Sequence, residues 1–271
     1  QRARPVGSPF RYATLKLPLA QQQLLAALRA LDLELAAISA RITEPQVAFA
    51  KLDWWRASLQ QLTETHRAEH PILQALLDCA QKSQRLDWLD GQSGFVDGIE
   101  QRLGATKLEM EYQGFNREAD LRAYLRARGG SMYQLYAQSL DIPVQQQTAL
   151  SELGGLHHRI HSLQCLGRYL PSGQIYLPAS LLARFNVAAD QSHQPEAIPE
   201  ALLASECDHI QSEITKLLQD YPGRLPRFFR ILQAINQALL NEMQKNPSAL
   251  LETRPELTPF QHWWLAWRAS F

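Results

Sequence analysis

The sequence has few cysteines, no excess of charge of either sign and no long apolar run. Its three cysteines, Cys79, Cys165 and Cys207, are odd in number and far apart. They therefore exclude a disulfide framework and favour a reducing compartment. Lys plus Arg and Asp plus Glu each number 27, so no overall field attracts nucleic acid. No apolar run of roughly eighteen residues is present, which predicts no transmembrane segment.

Other familiar signals are also missing. Residues 1–4 are not followed by an apolar stretch, which predicts no secretory signal and a cytoplasmic protein. The sequence has no nucleophile elbow, phosphate-binding glycine loop, CxxC pair or HExxH motif, so hydrolase and nucleotide-dependent chemistry have no support. No linker rich in Gly, Ser and Pro divides the chain, and we predict a single domain over residues 1–271.

Helical periodicity is the main positive signal. One apolar stripe, with steps of three and four residues, consists of Leu24, Leu28, Leu31, Leu35, Ile38 and Ile42. Similar patterns predict a helix through Leu52 and Leu59, one after His70, one interrupted near Gly129, and one from about Thr148 to Tyr169. Three more helices are predicted over residues 202–218, over residues 228–243 and around Trp263. With no alternating strand pattern, we predict an all-α array of roughly eight to ten helices.

Several segments in order resemble the squalene/phytoene synthase family. They are residues 10–18 (FRYATLKLP), 27–38 (ALRALDLELAAI), 44–59 (EPQVAFAKLDWWRASL), 70–76 (HPILQAL), 124–131 (YLRARGGS), 173–182 (GQIYLPASLL) and 241–248. The order and spacing of KLDWWR and GQIYLP carry most of the resemblance. It implies an isoprenoid-synthase-type helical array around a central cavity.

The resemblance also implies a metal site whose ligands this chain lacks. Enzymes of the family join two allylic diphosphates with Mg²⁺, which Asp-rich DDxxD and DxxxD motifs hold on two facing helices. The first motif falls on Ala36, Ala37 and Ala40, and the second on Cys165 and Tyr169. Methyl groups cannot bind Mg²⁺, and a thiol or phenol prefers other metals. We predict that Ala36 and Ala40 face Cys165 and Tyr169 across a central space.

We therefore predict a catalytically degenerate protein with no catalytic residue, no metal and no cofactor. Residues 27–38 resemble the mitochondrial complex I assembly factor of the same superfamily, which favours a non-enzymatic role. That role is assembly of a respiratory complex or the handling of an isoprenoid-like lipid, so the expected partner is a protein or such a lipid. The alternative is an active prenyltransferase with an unusual Mg²⁺ site, which condenses two isoprenoid diphosphates.

A histidine-rich stretch is the most chemical-looking cluster. His157, His161 and Cys165 are spaced at i, i+4 and i+8, which could offer Zn²⁺ two imidazoles and a thiol. The resemblance instead has His158, His161, Cys165 and Tyr169 lining the cavity. We favour a polar lining over a metal site, since no fourth ligand is identifiable.

Two further features have a functional and a structural interpretation. Arg168 is an anion clamp or an exposed arginine at a helix C-terminus, and we favour the second. Trp263, Trp264 and Trp267 suit peripheral contact with a membrane, such as the inner membrane, or a partner groove. We favour docking of these rings onto the protein's own core, because the predicted helix carries little basic charge.

Overall fold

The structure, a computed structural model, describes residues 3–90, 94–188 and 190–271. Within these ranges the regular elements are helices, and the only β contact is an isolated parallel bridge between Phe115 and Pro178. The predicted all-α class is confirmed. No helix in the described ranges has both the length and the apolar character needed to cross a lipid bilayer.

Thirteen α-helices form within the described ranges. They are α1 Pro9–Thr14, α2 Leu19–Arg41, α3 Pro45–Thr65, α4 Pro71–Lys82, α5 Gly94–Met110, α6 Glu118–Leu125, α7 Ser131–Ser139, α8 Val144–Gln164, α9 Leu166–Tyr169, α10 Ala179–Arg184, α11 Glu200–Gln219, α12 Arg227–Lys245 and α13 Pro259–Arg268. The count exceeds the predicted eight to ten because α1, α9 and α10 have only four to six residues each.

By its internal contacts the chain divides into two compact units. The first unit comprises Thr14–Glu111 and Ala127–Ser151 with residues 3–6, and the second comprises Gly7–Ala13, Tyr112–Arg126 and Glu152–Phe271. In the first unit α2 packs against α3, α4, α5 and α7. In the second, α12 packs against α11 and α13, and the 3-10 helix Pro247–Leu251 packs against α9, α11 and α12. The single domain stays a prediction.

The proline positions and apolar stripes explain where the early helices begin and what they bury. Pro18 precedes α2, and Pro45 occupies the first turn of α3, where a missing N–H costs nothing. The predicted stripe of α2 is buried from Leu24 to Ile38, while Ile42 lies just past the end of the helix. His70 caps α4 by accepting a hydrogen bond from the Ile72 N–H at 3.3 Å.

The predicted interruption near Gly129 is a π-helical turn, Arg126–Gly130, between α6 and α7. Gly130 lies in the first unit, where a Cβ atom at this position would be 2.5 Å from the main-chain oxygen of Ser151. Only glycine permits this approach, because real Cβ atoms do not come so close to a carbonyl oxygen. Arg128, within this turn, is largely buried.

One helix boundary and one whole helix differ from the sequence prediction. The helix predicted from Thr148 to Tyr169 is two helices, because Cys165 leaves helical geometry at φ −99° and ψ 10°. After this break Gly167 lies against the main chain of Leu251, where a Cβ would be 2.4 Å from the carbonyl oxygen. Helix α5 was not predicted, since its glycines Gly98 and Gly104 weaken a helical pattern.

Candidate functional site

A network of charged side chains is buried in the first unit, on the helix that carries the first degenerate motif. Asp32 of α2 accepts hydrogen bonds from Arg29 Nη1 at 2.6 Å, from Arg102 Nε at 2.8 Å and from Arg128 Nη1 at 2.9 Å. Arg128 also donates from Nε to Glu109 Oε1 at 2.9 Å. Three guanidinium groups thus meet two carboxylates, which leaves one unit of positive charge.

The network lies on the same face of α2 as the motif positions. Asp32 precedes Ala36 by four residues and Ala40 by eight, so the three positions recur at one-turn intervals. Ala36 and Ala37 are half-buried, while Ala40 is exposed. Ser39, beside them, donates a hydrogen bond to Glu109 Oε2 at 2.5 Å.

The sequence analysis missed every member of this network. The available signal was the four-residue spacing between Asp32 and Ala36, since an acidic residue on an otherwise apolar stripe demands a partner. Arg102 on α5 and Arg128 in the π-helical turn lie 70 and 96 residues away along the chain. Only the fold brings them to Asp32.

Burial and charge act in opposite directions on Asp32. Its side chain is 3% exposed, and burial alone would raise the pKa of its carboxyl group. The charges of Arg128, Arg102 and Arg29 outweigh burial and hold that pKa well below its usual range. Asp32 is therefore an anion, and both of its carboxylate oxygens already accept hydrogen bonds from guanidinium groups.

The magnesium ions implied by the resemblance do not fit these residues. Mg²⁺ needs several oxygen ligands, whereas the carboxylate oxygens of Asp32 are bound to arginines and Ala36 and Ala40 offer none. A divalent cation beside Arg29, Arg102 and Arg128 would also be repelled by the surplus positive charge of the network. Across the described residues, no three His, Cys, Asp or Glu side chains come together as metal ligands.

In the second unit, aromatic rings surround two of the predicted cavity-lining residues. Tyr124 and Tyr176 stack with ring centres 5.4 Å apart, His158 lies 6.1 Å from Tyr124, and Tyr169 lies 5.5 Å from Tyr176. Phe115 contacts both tyrosines at 5.2 and 6.2 Å. Tyr169, at a second-motif position, is therefore part of an aromatic cluster.

The histidine-rich stretch does not form the metal site that its spacing could offer. His157 is buried, and its Nε2 lies 2.6 Å from Gln233 Oε1. Burial lowers the pKa of His157 to about 3, against the opposing hydrogen bond with Gln233, so its imidazole is neutral. His161 is exposed with Nδ1 3.2 Å from Gln164 Oε1, and Cys165 lies beyond the end of α8.

Arg168 and Arg159 have opposite environments. Arg168 is exposed in the last turn of α9, as a structural arginine would be. Arg159, which the sequence analysis missed, is buried between two carboxylates, Glu206 and Glu118. Burial would raise the pKa of Glu118, but the neighbouring His209 and Arg159 lower it to about 2. Arg159 thus ties α6 and α11 to α8.

A cleft of about 210 Å³ opens beside Arg159 in the second unit. Four cationic and three anionic side chains line it: Arg122, Arg126, Arg159 and Lys216, with Glu152, Glu213 and Asp220. Arg122 pairs with Glu213, and Arg126 Nε lies 3.0 Å from Glu152 Oε1. The cleft is smaller and more charged than a typical pocket for an apolar ligand.

The expectation that the tryptophans near the end of the chain dock onto the core is wrong. Trp263, Trp264 and Trp267 are 46, 43 and 48% exposed. Helix α13 packs on α12, and Ala266 is its buried residue. Each of the three tryptophans is nearly half exposed, so their indoles are not packed into the core.

Comparison with known proteins agrees with this helical architecture. The model of the squalene/phytoene synthase family matches residues 3–261. A crystal structure of squalene synthase HpnC from Alicyclobacillus acidocaldarius is 17% identical, with a TM-score of 0.73 over 87% of this chain and 88% of that one. A dehydrosqualene synthase in complex with ligand is 18% identical, with a TM-score of 0.77 over 96% of this chain and 89% of that one. No curated protein matches this chain.

These similarities confirm the predicted isoprenoid-synthase-type fold. They do not test the site residues. The predicted juxtaposition of Ala36 and Ala40 with Cys165 and Tyr169 stays a prediction, because the two pairs belong to different compact units.

Proposed function

Because the chain belongs to the squalene/phytoene synthase family, we propose that it is a catalytically degenerate member that acts as a non-enzymatic binding or assembly protein. The observation that carries the proposal is the arginine-held carboxylate of Asp32, on the face of α2 where the enzymes of the family carry Mg²⁺ ligands. In this protein that face carries surplus positive charge, which repels the divalent cations that a bound diphosphate needs.

The second unit supports the same proposal. Departure of a diphosphate requires divalent cations to neutralise the developing charge. The second-motif positions contribute the thiol of Cys165 and the phenol of Tyr169, and the latter packs edge-on against Tyr176. Neither group replaces an aspartate as a ligand for a hard cation.

Of the two roles proposed from the sequence, assembly of a respiratory complex is favoured over the handling of an isoprenoid-like lipid. Residues 27–38, which resemble the complex I assembly factor, include both Arg29 and Asp32. The proposed location is cytoplasmic and peripheral to the inner membrane, with a protein as the partner.

The decisive experiment is an assay for prenyl transfer. The purified chain is incubated with farnesyl or geranylgeranyl diphosphate and Mg²⁺, and both pyrophosphate release and hydrocarbon products are measured beside an active dehydrosqualene synthase. We expect neither signal. Product formation that EDTA abolishes would overturn the proposal and establish the alternative, an active prenyltransferase with an unusual metal site.

A variant that restores the aspartates of both motifs tests whether the arginines prevent metal binding by themselves. This reinstated variant carries Ala36→Asp, Ala37→Asp, Ala40→Asp, Cys165→Asp and Tyr169→Asp. We expect it to remain inactive, because Arg29, Arg102 and Arg128 would compete with Mg²⁺ for the new carboxylates on α2. Activity in a folded reinstated variant would show that the arginine network is no obstacle to metal binding.

The lipid-handling role has its own measurement. Native mass spectrometry and lipid extraction of the purified protein would detect a stoichiometric isoprenoid-like lipid if that role is correct. We expect none to co-purify. A bound lipid would move the proposal from assembly to lipid handling, without restoring the enzyme.

A further inference from the structure

Helix α13 presents a row of exposed aromatic side chains, which bears on the peripheral membrane location of the proposed function and rests on it. We define the aromatic stripe as Phe260, Trp263, Trp264, Trp267 and Phe271. The first four recur at i, i+3, i+4 and i+7, so they share one face of the helix, and Phe271 lies three residues past the end of α13. Their exposed fractions are 69, 46, 43, 48 and 70%, in this order.

The stripe is continuous and points away from the packed face of α13. Neighbouring rings along it have centres 5.6, 6.4, 5.1 and 5.6 Å apart, and Trp264 and Trp267 are stacked. Ala266 is buried, and His262 contacts the main-chain oxygen of Gly7 at 3.1 Å through Nδ1. Packing is thus assigned to one side of the helix and exposed rings to the other.

Four arginines surround the end of the stripe. We define the arginine patch as Arg224, Arg227, Arg230 and Arg268. Arg230 donates to the main-chain oxygen of Ala269 at 2.6 Å, Arg227 to Ser270 Oγ at 3.0 Å, and Arg224 to the main-chain oxygen of Phe271. The acceptors of Arg227 and Arg230, a hydroxyl and a main-chain amide oxygen, are neutral and leave the charge of these two guanidinium groups in place.

The patch concentrates positive charge in a chain whose net charge is zero. Residues 223–230 and 257–271 contain all four arginines and no Asp or Glu. Crowding is evident within the patch, because burial and the neighbouring charge of Arg230 lower the pKa of Arg227. Burial and Arg224 lower the pKa of Arg230 in the same way.

We propose that the aromatic stripe and the arginine patch together form a docking surface for an anionic phospholipid bilayer. Indole rings favour the boundary between headgroups and acyl chains, where an amphipathic helix lies in the plane of the membrane. Arginines beside the helix attract anionic headgroups. A second copy of this chain is a poorer occupant, since a symmetric contact through the stripe would bring two arginine patches together.

Vesicle binding tests the proposal with the full chain. Sedimentation and tryptophan emission are measured with vesicles of phosphatidylcholine alone and with vesicles that also contain phosphatidylglycerol. We expect binding to the mixed vesicles, with an emission shift to shorter wavelength and quenching by brominated acyl chains. Binding should weaken as salt is added, since the headgroup attraction is screened. No binding to the mixed vesicles, or equal binding to both kinds, would overturn the proposal.

Matched variants locate the surface. The triple variant Trp263→Ser, Trp264→Ser, Trp267→Ser should lose at least about tenfold in affinity for the mixed vesicles. Trp54→Ser removes an equally exposed ring, 45% exposed, from the first unit and should leave binding unchanged. Arg268→Gln, at an exposed position, should weaken binding by about fivefold and reduce its salt dependence.

Two further results would overturn the proposal. One is a triple variant that retains its helicity and binds the mixed vesicles as well as the original chain. The other is a dimer, seen by analytical ultracentrifugation, that the triple variant abolishes, because it would assign the stripe to a second copy. The catalytic assay is run without vesicles, so its outcome is separate from this one.

Discussion

The two compact units contain buried ion networks of opposite design. In the first unit one carboxylate, Asp32, is held by three arginines, whereas in the second unit one arginine, Arg159, is held by Glu118 and Glu206. Each central side chain is 3% exposed. Burial requires compensation in both cases, but the sign of the surplus charge differs.

The network around Arg159 has a structural consequence, whereas the network around Asp32 has a functional one. A surplus of carboxylates around Arg159 joins three helices and lies at a site with no assigned motif. A surplus of guanidinium groups around Asp32 lies on the helix face that carries metal ligands in the enzymes of the family. The second arrangement changes what the face can bind, because its surplus positive charge repels cations and attracts anions.

The largest expected effect comes from removing the central charge of the first unit. Asp32→Asn leaves Arg102, whose side chain is fully buried, without its counter-ion, while Arg128 keeps its pair with Glu109. We expect a loss of about 3–5 kcal/mol in the free energy of unfolding, measured in urea. Asp53→Asn removes an exposed carboxylate paired with Arg56 and should cost less than about 1 kcal/mol. Equal costs would refute the central role of Asp32.

Removing the central charge of the second unit should cost somewhat less. In Arg159→Gln the buried Glu206 loses its partner, but Glu118 is 37% exposed and remains solvated. We expect a loss of about 3 kcal/mol in urea unfolding, and partial recovery when Glu206→Gln is added. Arg122→Gln, in a more exposed pair with Glu213, is the matched control. A double variant no more stable than Arg159→Gln would mean that the lost charge is not the cause.

Each unit has one glycine whose Cα lies so close to a main-chain oxygen that a side chain should not be tolerated. Gly130→Ala and Gly167→Ala place a Cβ within 2.5 and 2.4 Å of a carbonyl oxygen, so each should cost about 1–3 kcal/mol in thermal or urea unfolding. Gly104→Ala, in α5 with no heavy atom within 4 Å, should instead stabilise by about 0.5–1 kcal/mol. Stabilisation by Gly130→Ala or Gly167→Ala would contradict the close approach.

The smallest expected effect is the loss of stability that mild acid causes through His157, in the second unit. In the folded protein the pKa of His157 is lowered from 6.5 to about 3. Between these two pH values the unfolded chain binds more protons than the folded one, so stability falls as pH falls. One such group contributes at most about 1.4 kcal/mol per pH unit. The variant His157→Gln should flatten the stability curve between pH 6 and 5, about one unit wide.

Asp32 should contribute nothing to that slope, because its folded pKa is lowered and its stabilisation is present at every pH above its unfolded value of about 4. Its contribution is lost only at more acidic pH. The exposed His193, changed to Gln, serves as the control. A slope between pH 6 and 5, roughly unchanged in His157→Gln, would assign acid sensitivity to another group.

Local patterns were sufficient for much of the fold. The apolar stripe of α2, the prolines before α2 and in α3, and the cap at His70 act within a few residues, so the helices they predict are confirmed. The interruption near Gly129 is confirmed as well, with a π-helical turn as its form. The boundary at Cys165 was missed, since helical spacing continues past it and only the contact of Gly167 with Leu251 accompanies the break.

The chemistry of the sites depended on long-range contacts. The sequence by itself determined the all-α class, the family resemblance and the absence of aspartate at Ala36, Ala37 and Ala40, because residue identities and helical periods are local. Tertiary structure alone decided that Arg102 and Arg128 bind Asp32 and that α13 exposes its indole rings. Ion pairing between distant residues and the choice of a helix's packed face are fixed by which helices pack together, and no spacing along the chain encodes them.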